Sequence, residues 1–238
     1  MDKTIKDIIV YTDPTSPAAE AIRCLRTNIL FLNPGTEIKV VGLTSSLPGE
    51  GKSFISANLA VATAQSNKKT LLIDCDIRRG GMTRLLGLKE KEGLSNYLAK
   101  KDIDFDNLPT CNIGIDNLDI MPSGPVPPNP AELLGLNSLA AILSAARKKF
   151  DIIYLDMPPV LSVTDPMIVS KQADGAVFIV MAEKTHEKAV SRAYNLLKDA
   201  GVNILGAVLN KVPRGIGRHY GRYGRYGKYQ YGDYYGKK

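Results

Sequence analysis

The chain has 238 residues, 44% of them hydrophobic, and a formal net charge of +7. Three cysteines with no CxxC pair and only two histidines argue against a disulfide framework or a zinc site, and reduced cytosolic thiols are the expectation. The charge is localised: from Lys211 onward there are eight basic residues and one acid, Asp233, so the rest of the chain is balanced.

Residues 1–7 carry acids and no long apolar run, so no signal peptide is expected. The first predicted helix covers residues 17–32, with Ser16 as its cap and Pro17 in its opening position. A strand at 39–44 leads into a helix at 52–66. Strands at 70–74 and 118–121 follow, then a stiff turn at 123–130 and a helix at 131–149. The remaining elements are a strand at 152–156, a helix at 165–171, a strand at 176–181, a helix at 187–200 and a strand at 204–209. Several strands are nearly continuous apolar runs, as in parallel strands buried on both faces. The longest, at 176–182, is too short to cross a bilayer. Strand–helix alternation predicts an α/β fold, a mostly parallel twisted sheet with helices on both faces, whose ligands sit beyond the carboxyl ends of the strands. This body, residues 1–211, precedes a segment at 212–238 that holds seven of the eleven tyrosines, spaced by Gly, Arg and Lys. With almost no aliphatic side chain there, its ordering entropy has nothing to offset it, and a disordered tail is expected.

The run Ser46-Leu47-Pro48-Gly49-Glu50-Gly51-Lys52-Ser53 follows a strand and opens a helix, the context of a phosphate-binding loop. Gly49 and Gly51 let backbone N–H groups turn inward around phosphate oxygens, and the helix N-terminus adds positive potential. Lys52 is expected to reach the β- and γ-phosphates, and the Ser53 hydroxyl to bind Mg²⁺. Ser46 stands where the usual pattern has its first Gly. Asp74 and Asp76, two apart at a strand end, point to one side. Asp156 closes another apolar strand, suited to holding Mg²⁺ through water. Glu20, Arg23 and Arg26 recur every three residues on the first helix, a spacing that fits an intrahelical ion pair worth about 0.2–0.5 kcal/mol. Asn210, after the last strand, is a candidate for adenine or for a simple strand-end turn.

Together, residues 46–53, Asp74-x-Asp76-x-Arg78 and Asp156-x-Pro158-Pro159 resemble the bacterial tyrosine kinases, P-loop proteins related to chromosome- and septum-positioning ATPases. The resemblance implies Walker A, A′ and B motifs, ATP and Mg²⁺ as cofactors, and Ser46, Pro48, Gly49, Glu50, Gly51, Lys52, Ser53, Phe54 and Asn210 as the nucleotide site. Lys52, Asp74, Asp76 and Asp156 become the catalytic set, with Asp74 first in line as base or positioner of the phenol. Ser53, Asp76 and Asp156 become the metal set. Glu20, Arg23 and Arg26 become a subunit contact in a ring-like homo-oligomer such as an octamer. Tyr220, Tyr223, Tyr226, Tyr229, Tyr231, Tyr234 and Tyr235 become phosphoacceptors, modified in trans. The resemblance is to the Gram-positive kinase subunit, cytoplasmic and peripheral to the membrane through a membrane activator, with a tyrosine phosphatase and proteins of polysaccharide metabolism as partners. The implied role is regulation of capsule or exopolysaccharide synthesis and export. The rival is a positioning ATPase whose Arg/Tyr/Gly tail binds nucleic acid; against it, Leu47 stands where those ATPases carry a signature lysine, and nucleic acid is not the expected partner.

Overall fold

The computed structural model describes residues 6–32, 38–89, 91–100, 104, 107–135 and 137–213. The seven tail tyrosines named above, Tyr220 to Tyr235, lie outside them. Among the described residues six strands form one parallel sheet: β1 (Val40–Ser45), β2 (Thr70–Asp74), β3 (Leu118–Met121), β4 (Ile152–Asp156), β5 (Gly175–Met181) and β6 (Ile204–Asn210), in the spatial order β3-β2-β4-β1-β5-β6. Alternation along each strand feeds two cores. Val41, Leu43, Leu72, Ile152, Tyr154, Val177 and Ile179 face one layer, and Val40, Leu71, Ile73, Ile153, Leu155, Ala176 and Phe178 face the other.

The first layer is covered by α1 (Ile9–Thr12), α2 (Pro17–Phe31) and α3 (Lys52–Ala64). Ser16 caps α2 as expected, its hydroxyl accepting the Ala19 N–H at 3.2 Å. Helix α3 is buried almost all round, so its small residues Ala57, Ala60, Ala62 and Ala64 allow close packing on the sheet. Helices α4 (Gly81–Leu85) and α5 (Leu94–Leu98) were absent from the sequence reading. Each has five residues, too few for a helical period, and each opens at a glycine without a side-chain cap. The helix expected at 131–149 is two helices, α6 (Pro130–Gly135) and α7 (Asn137–Lys149). The first ends at Gly135, a residue poorly suited to a helix interior. α8 (Asp165–Ser170) and α9 (Glu187–Asp199) complete the second layer. Among the described residues, no helix is long and apolar enough to cross a membrane.

Asp174 ties these layers to the start of β1. Its carboxylate accepts the Lys39 and Val40 N–H groups at 2.7 Å each, and Arg147 at 3.0 and 2.6 Å. Burial alone would raise its pKa, but Arg147 and the two N–H groups outweigh it and hold the carboxyl below the usual range. A depressed carboxylate stabilises the fold above its unfolded pKa, and that contribution is lost as pH falls through the folded value. Asp174→Asn should therefore cost about 1–2 kcal/mol at neutral pH. The difference in melting temperature from wild type should close below about pH 4, followed by thermal unfolding across pH.

Candidate active site

Three strand ends meet at one place. β1 leads into the phosphate-binding loop, β2 ends at Asp74, and β4 ends at Asp156; Asp74 and Asp156 are register partners across the parallel pair. The loop turns on two left-handed glycines, Gly49 at φ 85° and Gly51 at φ 93°. A Cβ on Gly49 would meet nothing within 4 Å, which leaves that side of the loop open to a ligand. A Cβ on Gly51 would lie 2.1 Å from the Asn210 Nδ2. Gly51→Ala is thus disfavoured by backbone strain and by collision with Asn210. It should weaken nucleotide binding by about tenfold or more while leaving the sheet folded, measured by nucleotide titration alongside far-UV circular dichroism.

Glu50 anchors the loop from beneath. It is buried, its Oε2 accepts the Leu47 N–H at 2.9 Å, and its Oε1 accepts a short hydrogen bond from the Thr185 hydroxyl after β5. Asn210 Nδ2 donates to the Glu50 carbonyl at 2.8 Å, so the end of β6 is also tied to the loop. Ser46 is fully buried; its carbonyl accepts the Leu161 N–H at 3.2 Å, and its hydroxyl has no partner among the described residues. Neither Ser46, Glu50 nor Asn210 lines the cleft in front of the loop.

That cleft has a volume of about 480 Å³. Pro48, Gly49, Gly51, Lys52, Ser53 and Phe54 form one wall, and Asp76, Arg78, Arg79 and Arg84 another. Pro158, Pro159 and Val163 add apolar surface to the cleft, and Ser162 a hydroxyl. Lys52 Nζ lies 3.5 Å from Asp76 Oδ2, 3.7 Å from Asp156 Oδ2 and 3.3 Å from Ser53 Oγ. Ser53 donates to Asp156 at 2.7 Å, and Ser56 at 2.9 Å. Burial pulls the Lys52 ammonium down, but Asp156, Asp76 and Asp74 together overcome it, and its pKa is raised. The ammonium is therefore charged at any physiological pH.

The two neighbouring acids differ. Asp74 is fully buried. It accepts the Thr83 N–H at 2.8 Å, the Thr83 hydroxyl at 2.7 Å and the Asp76 N–H at 3.1 Å. Burial, followed by the facing Asp156, pushes its pKa up to about 7, against the pull of those hydrogen bonds. Burial raises Asp156 as well, with Lys52 opposing. Asp76 instead faces the cleft, one oxygen toward Lys52 and the other accepting the Arg79 N–H at 3.1 Å.

Among the described residues, no group of three or more His, Cys, Asp or Glu could hold a metal unaided. A cation sharing phosphate oxygens with Ser53 and one or two carboxylates fits what is present, the usual habit of Mg²⁺. The loop glycines, the lysine and this donor set fit a nucleoside polyphosphate, and the fold is a nucleotide-binding one.

Sequence reasoning missed the Thr83 contacts to Asp74, the Thr185 contact to Glu50 and the Arg wall. It also missed Asp165, which is fully buried and takes a two-pronged bond from Arg78 at 2.7 and 3.0 Å. The available signal was Arg78 itself, but the nearby acids Asp74 and Asp76 offered it partners in the chain, and nothing there pointed to Asp165. Glu20, Arg23 and Arg26 lie on α2 with partners of their own: Arg23 bonds Glu20 at 3.0 Å and the Pro14 carbonyl at 2.7 Å, and Arg26 bonds the Ala62 carbonyl at 3.0 Å.

Comparison with known proteins agrees with this geometry. The family model ParA, described as NUBPL iron-transfer P-loop NTPase, matches residues 37–214. The chain is 38% identical over 205 residues to the tyrosine-protein kinase YwqD of Bacillus subtilis, covering 86% of each. The kinase domain of the Escherichia coli tyrosine kinase ETK superposes with a TM-score of 0.84 at 35% identity, covering 90% of this chain and 83% of that one. The chimerical protein CapA2B2 gives a TM-score of 0.82 at 36% identity, covering 87% and 91%. The three motifs on one cleft and this likeness along most of the chain place it among the ParA-type P-loop NTPases and, within them, in the bacterial tyrosine kinases.

Proposed function

We propose that this kinase transfers the γ-phosphoryl group of ATP to tyrosine hydroxyls, first of all those of the Tyr220–Tyr235 cluster on a neighbouring copy. The observation that carries the reading is the convergence of Lys52, Ser53 and Asp76 on one cleft, with Asp156 directly behind them, bonded to Ser53 and 3.7 Å from Lys52. Gly49, Gly51 and Lys52 hold the phosphates. Ser53, Asp76 and Asp156 hold Mg²⁺, directly or through water. The ion supplies neutralisation of charge on the β- and γ-phosphate oxygens. Of the two Walker A′ acids, Asp76 is the one a phenol entering the cleft would meet, so we assign it the orientation of the hydroxyl. Asp74 positions it from behind by accepting its N–H and holding the Thr83 turn. Asp156 and Asp74 lie too deep to touch a phenol, being fully buried.

The same reading puts α2, with Glu20, Arg23 and Arg26, at the contact between copies in a ring, where one tail can reach the next cleft. It places the protein at the inner face of the membrane through a membrane activator, countered by a tyrosine phosphatase, in control of capsule or exopolysaccharide synthesis and export. Residues 212–238 serve as the autophosphorylation tail. Each phosphate adds about −1.5 to −2 charge, so four or five would reverse the tail's sign and release the ring. The test is intact-mass analysis of the purified chain with Mg-ATP, alone and with an activator peptide. Stepwise gain of phosphoryl groups on the terminal peptide is expected. A terminal peptide unchanged in mass, under conditions where ATP is hydrolysed, would refute the reading.

A further inference from the structure

The cleft carries more positive charge than a nucleotide site built from Lys52 requires, and that charge is unevenly committed. Arg78 is spent on the buried Asp165. Lys52 is engaged with Asp76 and Asp156. Arg79 and Arg84 are exposed, line the same cleft, and have no acidic partner among the described residues. They flank the short α4, Arg79 just before Gly80 and Arg84 in its last turn. The same cleft carries the apolar side chains of Pro158, Pro159 and Val163. A planar ring suits such a surface, and a guanidinium pair suits a carboxylate or phosphate next to that ring.

The acceptor tail is a poor match to this wall except at one point. From Lys211 onward it has eight basic residues and a single acid, Asp233, flanked by Tyr231, Tyr234 and Tyr235. At physiological ionic strength charges interact over about 8 Å, so the local charge near a tyrosine decides whether it is drawn to the arginines or repelled. We propose that Arg79 and Arg84 form an acceptor subsite that reads an anion beside the tyrosine, so that phosphorylation of the tail starts around Asp233 and spreads toward Tyr220. This rests on the tyrosine-kinase reading above. Spreading follows because each new phosphotyrosine is a stronger anion than Asp233 and lies within three residues of the next tyrosine back to Tyr220. The chemistry at each step is the same: the bond from Pγ to the bridging oxygen breaks, the phenolic oxygen takes the phosphoryl group, its proton is released, and ADP leaves.

The experiment is a time course of the full chain with Mg-ATP, mapping each phosphotyrosine by peptide mass spectrometry. In the wild type the first phosphate should fall on Tyr231, Tyr234 or Tyr235 with a preference of about fivefold over Tyr220, Tyr223 and Tyr226, shrinking as salt rises. Arg79→Gln with Arg84→Gln should bring the sites to within about twofold of one another without changing the KM for ATP, and the paired Arg→Lys variant should restore part of the order. Moving the acid, by Gly227→Asp with Asp233→Gly, should shift the first phosphate to Tyr226 and Tyr229. An unchanged order after moving the acid would overturn the proposal, as would a rise in KM for ATP as the main effect of the arginine changes, which would assign them to the nucleotide. A wild-type chain gaining no phosphate would instead remove the kinase reading beneath it, and the two failures are told apart by that control.

Discussion

Lys52→Met should abolish tyrosine phosphorylation, lowering the rate by at least about a hundredfold, while the protein stays folded. The lysine is the one cation among three carboxylates: Asp76 at 3.5 Å, Asp156 at 3.7 Å, and Asp74 behind them. It is also the only ammonium on the cleft wall formed by the loop. Removing it takes away the group expected on the β- and γ-phosphates and leaves the acids without compensation. Asp74 and Asp156, both fully buried and with raised pKa values, then take up protons rather than remain charged, so the fold is spared most of the Coulomb cost. The melting temperature should therefore move by only a few degrees. Intact-mass analysis after incubation with Mg-ATP is the measurement. Phosphotyrosine accumulating at a wild-type rate in the purified variant would exclude this cleft as its source.

Asp156→Asn should be nearly as damaging to activity, again about a hundredfold, and should leave a second signature in protons. Asp74 has a folded pKa of about 7, raised by burial and then by Asp156. For an acid raised in this way, the favourable contribution to folding is complete below the unfolded value near 4 and is lost as pH rises through about 7. The protein without nucleotide should thus lose stability from this group across that window. A bound cation favours the ionised carboxylates, so Mg-nucleotide binding near pH 6.5 should release up to about one proton. Titration calorimetry in two buffers of different ionisation enthalpy measures it. In Asp156→Asn the push on Asp74 is gone, its pKa falls, and the release should shrink. A wild-type protein that releases no proton, or a variant that releases as much, would contradict the description of this carboxylate pair.

The arrangement also separates holding from doing. Glu50, Thr185 and Asn210 form a scaffold beneath the loop, so its shape is set by contacts made within the chain. Asp74 does the same for Asp76, through the backbone N–H it accepts. The loop accommodates Ser46 in place of a glycine because that backbone position is not left-handed and is buried away from the cleft, its carbonyl occupied by Leu161.

The strands, the main helices and the three motifs were legible along the chain because each is local. Buried parallel strands must be apolar without interruption, a phosphate loop must carry glycine and lysine within a few residues, and a strand-end acid announces itself by its apolar run. The Ser16 cap and the helix after Lys52 followed for the same reason. What the chain could not disclose depends on neighbours distant in sequence. Asp74 and Asp76 look equivalent in a strand, yet Thr83 closes around one and the cleft opens to the other. Arg78 stands in the chain simply as the end of the Asp74-x-Asp76-x-Arg78 motif, and only the fold brings it to Asp165, 87 residues away. Gly51 needs Asn210 beside it before its lack of a side chain becomes a requirement of packing as well as of φ. Contacts of this kind are set by which strand ends lie side by side, and that order, β2 against β4 against β1, is fixed by packing both faces of the sheet rather than by any one segment.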